Sequence, residues 1–174
     1  KYNAAAGFTM FTYTGNSSTD NDTMLFNHTL GVPIDFAIGK CRDTASNEGG
    51  NWVVWHKDLS YDHYSLYLNT SERATESNNS DSSGSVTWFA NESTGSQHHV
   101  RLRNVQIADY DTGNYDIVRM VDNSKDFVFY GFAGVEGMVK IGSWVGSGDD
   151  DGPMVYCGFR PSLILAKAVD RSNS

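Results

Sequence analysis

The chain has little of what builds helices, disulfide frameworks or membrane spans. Its 174 residues include only two cysteines, three prolines and eight leucines, and its five glutamates are outnumbered by sixteen aspartates. Because Asp favours turns whereas Glu tolerates helix interiors, this composition argues against a helical protein. No apolar run approaches the roughly 18 residues that a membrane-spanning helix needs, and Lys1 begins no signal-peptide pattern. We therefore expect no membrane insertion.

Positive charge is also scarce. The 13 Lys and Arg residues against 21 Asp and Glu residues give a formal net charge of −8. Proteins that bind nucleic acid or anionic membranes usually neutralise phosphates with Lys and Arg. Nucleic acid is therefore not an expected partner.

Small polar residues and aromatic residues are abundant instead. Ser, Thr, Asn and Gly make up 62 of the 174 residues, and the 22 aromatic residues are too many for a disordered chain. Alternation of apolar and polar residues, punctuated by turn-forming clusters, predicts about ten short strands. They cover residues 8–13, 34–42, 52–57, 64–68, 85–90, 100–105, 115–121, 126–133, 138–145 and 162–168. Residues 71–83 are predicted to form a long exposed loop. We expect an all-β, antiparallel β-sandwich of the jelly-roll-like type.

The two ends of the chain resemble each other, with residues 7–43 and 137–170 forming an imperfect repeat. Each copy has an alternating strand pattern, an acid-rich turn, a proline, a second strand pattern and a lysine. The favoured interpretation is one domain over 1–174, in which the copies form equivalent edges of a sandwich, because a lone hairpin is not stable in water. The alternative is a domain over 1–136 followed by the start of a second copy.

No arrangement of residues predicts catalysis or a cofactor. Glycoside cleavage needs two facing carboxylates, but Glu72, Glu76 and Glu92 lie in or beside polar loops. Nucleophilic catalysis lacks a Gly-x-Ser-x-Gly motif. The histidines show no metal-binding spacing; they are His28, His56, His63, His98 and His99. We expect a non-enzymatic protein with no catalytic residue, no metal ligand and no cofactor. The sequence does not identify a binding residue.

Three features keep alternatives open. Asp149–Asp151 is the densest cluster of charge, for which a solvated turn is favoured over a calcium site. Cys41 and Cys157 permit at most one disulfide, and the sequence leaves open whether they pair. The tryptophans offer a surface on which sugar rings stack, although Trp52 and Trp55, three residues apart on one strand, should face opposite sides. The other two are Trp88 and Trp144.

Several segments together resemble a known family. Residues 127–148 and 151–161, together with 28–33, Lys40, 51–57 and 67–70, resemble a domain of uncharacterised function from virion structural proteins of tailed phages. Many of these proteins, often labelled tail fibres, come from phages of marine and cyanobacterial hosts. Residues 91–126 match nothing in that family. The family has no known catalytic residues, so the resemblance implies a structural role and transfers no site.

The resemblance implies a virion protein on the particle surface, such as a tail-fibre, appendage or capsid-decoration module. Its expected partners are other virion subunits, in a homo-oligomer for which a trimer is favoured, and a host cell-surface glycan. The alternative hypothesis is a secreted carbohydrate-binding module.

Overall fold

A computed structural model describes residues 1–16, 23–43, 50–59, 64–70, 75–76, 88–94, 97–108 and 115–169. Within these ranges the chain forms strands and a single 3-10 turn at Ala4–Ala6, without an α-helix. The strands are β1 (Tyr2–Asn3), β2 (Phe8–Thr14), β3 (Thr23–His28), β4 (Phe36–Cys41), β5 (Val53–His56), β6 (Tyr64–Tyr67), β7 (Thr75–Glu76), β8 (Phe89–Thr94), β9 (Gln97–Arg103), β10 (Val105–Ala108), β11 (Tyr115–Val118) and β12 (Asp126–Phe132). The predicted all-β class is confirmed.

The larger sheet has seven strands in the order β1-β2-β12-β4-β5-β6-β7. All of its neighbouring strands pair antiparallel. At its centre, Phe129 of β12 is opposite Phe11 of β2 on one side and Gly39 of β4 on the other. The last strand of the chain therefore joins two strands from its beginning.

A three-stranded antiparallel sheet, in the order β3-β9-β8, faces the larger one, and β10 and β11 form a separate pair. Phe89 of β8 stacks on Phe129 of β12, with ring centroids 5.9 Å apart. Phe26 of β3 packs on Phe11 of β2, with ring centroids 4.9 Å apart. These contacts between sheets give a β-sandwich-like arrangement with an aromatic core.

Alternation along the strands separates the two faces of the larger sheet. Phe127 and Phe129 of β12 point into the core cluster, as do Val53 of β5 and Tyr67 of β6. Val54, Leu66 and Val128 have the opposite parity and lie outside that cluster, but they are buried as well. Around these three residues the outer face of the sheet is therefore covered by other parts of the chain, whereas Thr12 and Thr14 of β2 are exposed.

A buried amide links the core to the segment before β12. The Asn104 Oδ1 atom accepts hydrogen bonds from the main-chain N–H groups of Met120 and Val121, at 2.7 and 2.9 Å. Its Nδ2 atom donates to the Asp122 carboxylate at 2.6 Å. Nearby, the Tyr13 hydroxyl donates to the Met120 carbonyl at 2.5 Å, and burial, followed by the neighbouring Cys41, raises the pKa of Tyr13. Asn104 thus satisfies two N–H groups that water does not reach.

Two predicted strands are wrong, and four strands were missed, namely β1, β3, β7 and most of β10. Residues 138–145 and 162–168 do not form strands in the structure. Their alternating pattern suits a strand, but a strand also needs a neighbouring strand to complete its main-chain hydrogen bonds, and none lies beside them in the described chain. β3 was missed because exposed Leu25 interrupts the alternation of Met24 and Phe26. Of the predicted loop over 71–83, only 75–76 is described, and it forms β7; the rest lies outside the described residues.

The described residues contain no helix long and apolar enough to cross a membrane.

Candidate functional site

The feature that sets this molecule apart is its C-terminal arm, residues 134–169, which follows β12 without forming a regular strand or helix. It begins with a tight turn in which Val135 and Val139 exchange main-chain hydrogen bonds of 3.0 and 2.9 Å. We call residues 1–133 the body.

Three polar contacts attach the arm to the body. The Gly134 N–H group donates to the Asp35 carboxylate at 2.8 Å, the Ser143 side chain hydrogen-bonds Asp58, and the Lys167 ammonium donates to the Thr70 carbonyl at 2.7 Å. Asp58 follows β5 and Thr70 follows β6, so these two anchors lie at opposite ends of an antiparallel strand pair. The arm is thus fixed near both of its ends.

Most of the exposed large apolar side chains in the described residues belong to the arm. Leu25 and Val32 are exposed in the described body. The arm exposes ten, namely Met138, Trp144, Val145, Met154, Val155, Tyr156, Leu163, Ile164, Leu165 and Val169. A single exposed leucine is ordinary, but a concentration of this kind is typical of an interaction surface.

Two runs of three consecutive apolar residues stand out within the arm, and we call them the apolar triplets. Met154 is 90% exposed and Tyr156 78%, with Val155 between them also exposed. Leu163 is 86% exposed and Ile164 75%, with Leu165 next to them also exposed. Successive side chains of an extended chain point to opposite sides. Four of the six side chains are thus largely in water, whereas Val155 and Leu165 are about half covered, at 49% and 55% exposure.

The main chain of the arm is also unpartnered over a long stretch. From Lys140 to Val169, no main-chain group makes a hydrogen bond with another main-chain group of the described residues. Only local contacts occur, such as the Asp149 N–H group donating to the Ser147 hydroxyl at 3.3 Å. Apolar side chains and main-chain donors are thus both available to a partner.

The body has a groove of about 340 Å³ between β2 and β3. It is lined by Met10 and Phe11 of β2 and by Phe26 and His28 of β3, among others. Both ring nitrogens of His28 are buried here without a hydrogen-bond partner in the structure. Burial lowers the pKa of His28, and the neighbouring rings of His98 and His99 lower it further.

The histidines considered from the sequence fall into two places. His28 stacks on His98, with ring centroids 5.9 Å apart, while His99 hydrogen-bonds Asn27. His56 lies on β5 beside Asp58, and burial lowers its pKa despite the opposing charge of Asp58. At Asp58, burial opposes ionisation, but the hydrogen bond and charge of Lys57 outweigh it and hold the pKa below its usual value. His63 lies outside the described residues.

The carboxylates considered from the sequence are not brought together as an acid pair among the residues that the structure describes. Glu92 forms an ion pair with Arg101 on the neighbouring strand β9. Glu72 and the side chain of Glu76 lie outside the described set. Asp149–Asp151 is exposed in the arm, and the described ranges contain no group of three or more His, Cys, Asp or Glu side chains positioned to hold a metal ion.

The tryptophans occupy four different environments. Trp88 is fully buried, and Trp55 packs against Phe89 at 4.6 Å between ring centroids. Trp52 lies on the outer side of the sheet near Tyr130, with the Lys40 ammonium 5.3 Å from its ring centroid. The expectation that Trp52 and Trp55 face opposite sides is confirmed. Trp144 is exposed in the arm.

The two cysteines are free thiols. Cys41 is buried at the end of β4, whereas Cys157 is half-exposed in the arm, where its Sγ atom lies 3.8 Å from the Val155 carbonyl oxygen. The structure therefore contains no disulfide between Cys41 and Cys157.

The arm was not identified as a site from the sequence. Its apolar residues were assigned to buried strands, because a sequence pattern is the same whether the strand has found its partner or not. The signal that was available is the run Leu163-Ile164-Leu165, which has no polar alternation and therefore suits a strand that is covered on both faces.

Comparisons with known proteins give one result at the level of the family. No curated protein and no solved structure matches the chain. The family model described as a domain of unknown function (DUF7483) matches residues 1–174, so the chain belongs to this family.

Proposed function

We propose that the chain is a non-enzymatic structural protein of a tailed-phage virion, on the particle surface as a tail-fibre, appendage or capsid-decoration module. Its role is assembly with other virion subunits and attachment to a host-surface glycan. The resemblance of residues 127–148 and 151–161 to virion proteins supports the phage assignment. The homo-oligomer that we expect is a trimer.

The observation that carries the assembly role is the exposed apolar arm. A surface that contains ten of the twelve large apolar side chains exposed in the described residues is costly in water unless another protein covers it. Catalysis would instead call for convergent polar groups in a pocket. The β2–β3 groove contains His28 and Lys1, and the N-terminal amine of Lys1 is engaged by the Met10 carbonyl at 2.7 Å.

We also propose a jelly-roll-like architecture for the 174 residues, with 7–43 and 137–170 as an imperfect repeat. The placement of the first copy supports this reading, because its strands β2 and β4 flank β12 on either side. The second copy has matching sequence and free main-chain groups, as expected of strands that find their neighbours in another molecule.

Electron microscopy of the particle tests the virion assignment. An antibody fragment against the body, visualised on phage particles whose genome encodes the chain, should label a fibre, an appendage or the capsid surface. Particles of a phage that lacks the gene serve as the control. Absence of label on intact and on partly disassembled particles would rule out a virion role.

A carbohydrate-binding module is the second candidate, and Trp52 is the observation that favours it. Its half-buried ring lies on the outer side of the sheet beside Tyr130 and Lys40, a combination of aromatic face and charged donor that suits a sugar ring. A glycan array should then give binding that Trp52→Ala abolishes. Trp144→Ala, which removes an exposed tryptophan elsewhere, is the matched control. Binding that is equal in both variants would exclude this platform.

A further inference from the structure

An arm with this composition needs an apolar partner, and the described body does not provide one. Leu25 and Val32 are the exposed large apolar side chains there, and they belong to β3 and to the loop that follows it. On the outer face of the larger sheet, Val54, Leu66 and Val128 are buried and offer no exposed apolar surface. The β2–β3 groove is too small for both apolar triplets.

The surface with matching chemistry is another copy of the arm. Each arm offers the same two apolar triplets and the same unpartnered main chain, so two arms complement each other in side chains and in hydrogen bonds. Such self-complementarity is the condition for a closed symmetric interface. Charge is compatible as well, because the arm carries Lys140, Arg160 and Lys167 besides Asp149–Asp151.

We propose that the C-terminal arms of two or more copies of this chain pair with one another, with residues 140–146 and 161–168 forming intermolecular strands. The inference rests on the proposed assembly role and names the partner and the contact. In the assembly, both faces of the apolar triplets become buried and the N–H and C=O groups of the arm enter a ladder.

The repeat explains why these segments suit strands. Residues 137–146 match the sequence that forms β2, and residues 161–167 match 33–40, most of which forms β4. Both β2 and β4 bond to β12 along their length. The arm therefore has the residue pattern of strands that lie inside a sheet, without a neighbouring strand among the residues that the structure describes.

Sedimentation velocity on the intact chain tests self-association, with Leu163→Asp/Ile164→Asp as the disrupting variant. The chain should sediment as an oligomer, and the double variant should associate at least about tenfold more weakly, because it places two charges in the apolar contact. Leu25→Asp/Val32→Asp is the matched control, since it places two charges on exposed apolar residues of the body, outside the proposed intermolecular strands. It should associate as the unaltered chain does.

Hydrogen exchange locates the contact and shows whether the variants fold. Amides of residues 141–169 should exchange at least about tenfold more slowly in the oligomer than in the double variant, while amides of β2, β4 and β12 stay equally protected in both. Protection lost in β12 as well would mark a folding defect, in which case Val145→Asp, remote from the triplets, replaces the double variant.

The thiols provide a direct proximity test. With Cys41 buried, a short bis-maleimide reagent should join two copies through Cys157, and Cys157→Ser should abolish the product.

The proposal is overturned by a monomer at all accessible concentrations, or by an oligomer whose mass and arm exchange are the same in the double variant. Labelled particles together with a monomeric purified chain would overturn arm pairing alone. An arm-dependent oligomer with unlabelled particles would overturn the virion assignment alone.

Discussion

The body and the arm contain similar residues but bury them very differently. In β12, Phe127 and Phe129 lie in the core, and each faces strands on both sides. In the arm, Leu163 and Ile164 lie in water almost as they would in an unfolded chain. Apolar residues stabilise a fold only by the surface that they remove from water, so stability within one chain comes from the body. Substitutions in the body should therefore lower the free energy of unfolding, whereas substitutions in the arm should hardly change it.

The largest effect is expected for Phe129→Ala. Its ring stacks on Phe11 at 4.8 Å and on Phe89 at 5.9 Å between centroids, so truncation leaves a cavity between the sheets. We expect a loss of about 3–5 kcal/mol in the free energy of unfolding, measured by urea denaturation. Met154→Ala, at a 90% exposed arm position, is the control and should change it by less than about 0.5 kcal/mol. Equal losses of unfolding free energy in the two variants would contradict the conclusion that stability comes from the body.

Asn104→Ala should cost about 2–4 kcal/mol. The change leaves the Met120 and Val121 N–H groups without an acceptor, and each buried unsatisfied group costs about 1–3 kcal/mol. Asn123→Ala, at an exposed position nearby, should be close to neutral in the same denaturation experiment. A neutral result for Asn104→Ala would mean that water replaces the amide.

A smaller effect depends on pH. Because burial lowers the pKa of His28 below 6.5, the unfolded chain binds more protons than the folded one at acidic pH. The stability that neutral His28 contributes is therefore present above about pH 6.5 and is lost as pH falls below that value. His28→Gln should flatten the dependence of unfolding free energy on pH by at most about 1.4 kcal/mol per pH unit.

Phe26→Leu controls for this measurement, because it alters packing at the same groove without removing a titratable group. It should lower stability equally at pH 5 and pH 7. An unchanged slope in His28→Gln would show that His28 does not titrate differently on folding.

The smallest effect is expected for Leu163→Ser when the chain is dilute enough to be monomeric. Its 86% exposed side chain should contribute less than about 0.5 kcal/mol to unfolding. At concentrations where copies associate, the same change should lower the melting temperature, and the difference should grow with concentration. A large effect in the dilute monomer would place Leu163 in a contact of the body.

The sequence could predict the body much better than the arm. Alternation located β2, β4 and β12, because their inward residues pack on the opposite sheet and their outward ones do not. The same pattern analysis predicted strands in the arm, which has no neighbouring strand in the described part of the chain. Strand pairing joins residues that are distant in sequence or that lie in different molecules. A local sequence pattern therefore does not specify which strands pair.

The exposed arm and the His28 groove were both beyond sequence reasoning for the same reason. The burial of Leu163 depends on what lies against the arm. The hydrogen bonding of the His28 ring nitrogens depends on surfaces assembled from β2 and β3. The uniformly apolar run at 163–165 suits a strand covered on both faces, but in the structure these residues form no strand and are exposed.

The position of β12 has a consequence for synthesis. As the chain leaves the ribosome, β2 and β4 emerge early but stay without their shared neighbour until residues 126–132 follow. Until then, two unsatisfied strand edges are exposed and open to mispairing with other nascent chains. The body should fold slowly for a domain of its size, because closing the centre of the sheet requires contacts between residues separated by nearly the whole length of the body.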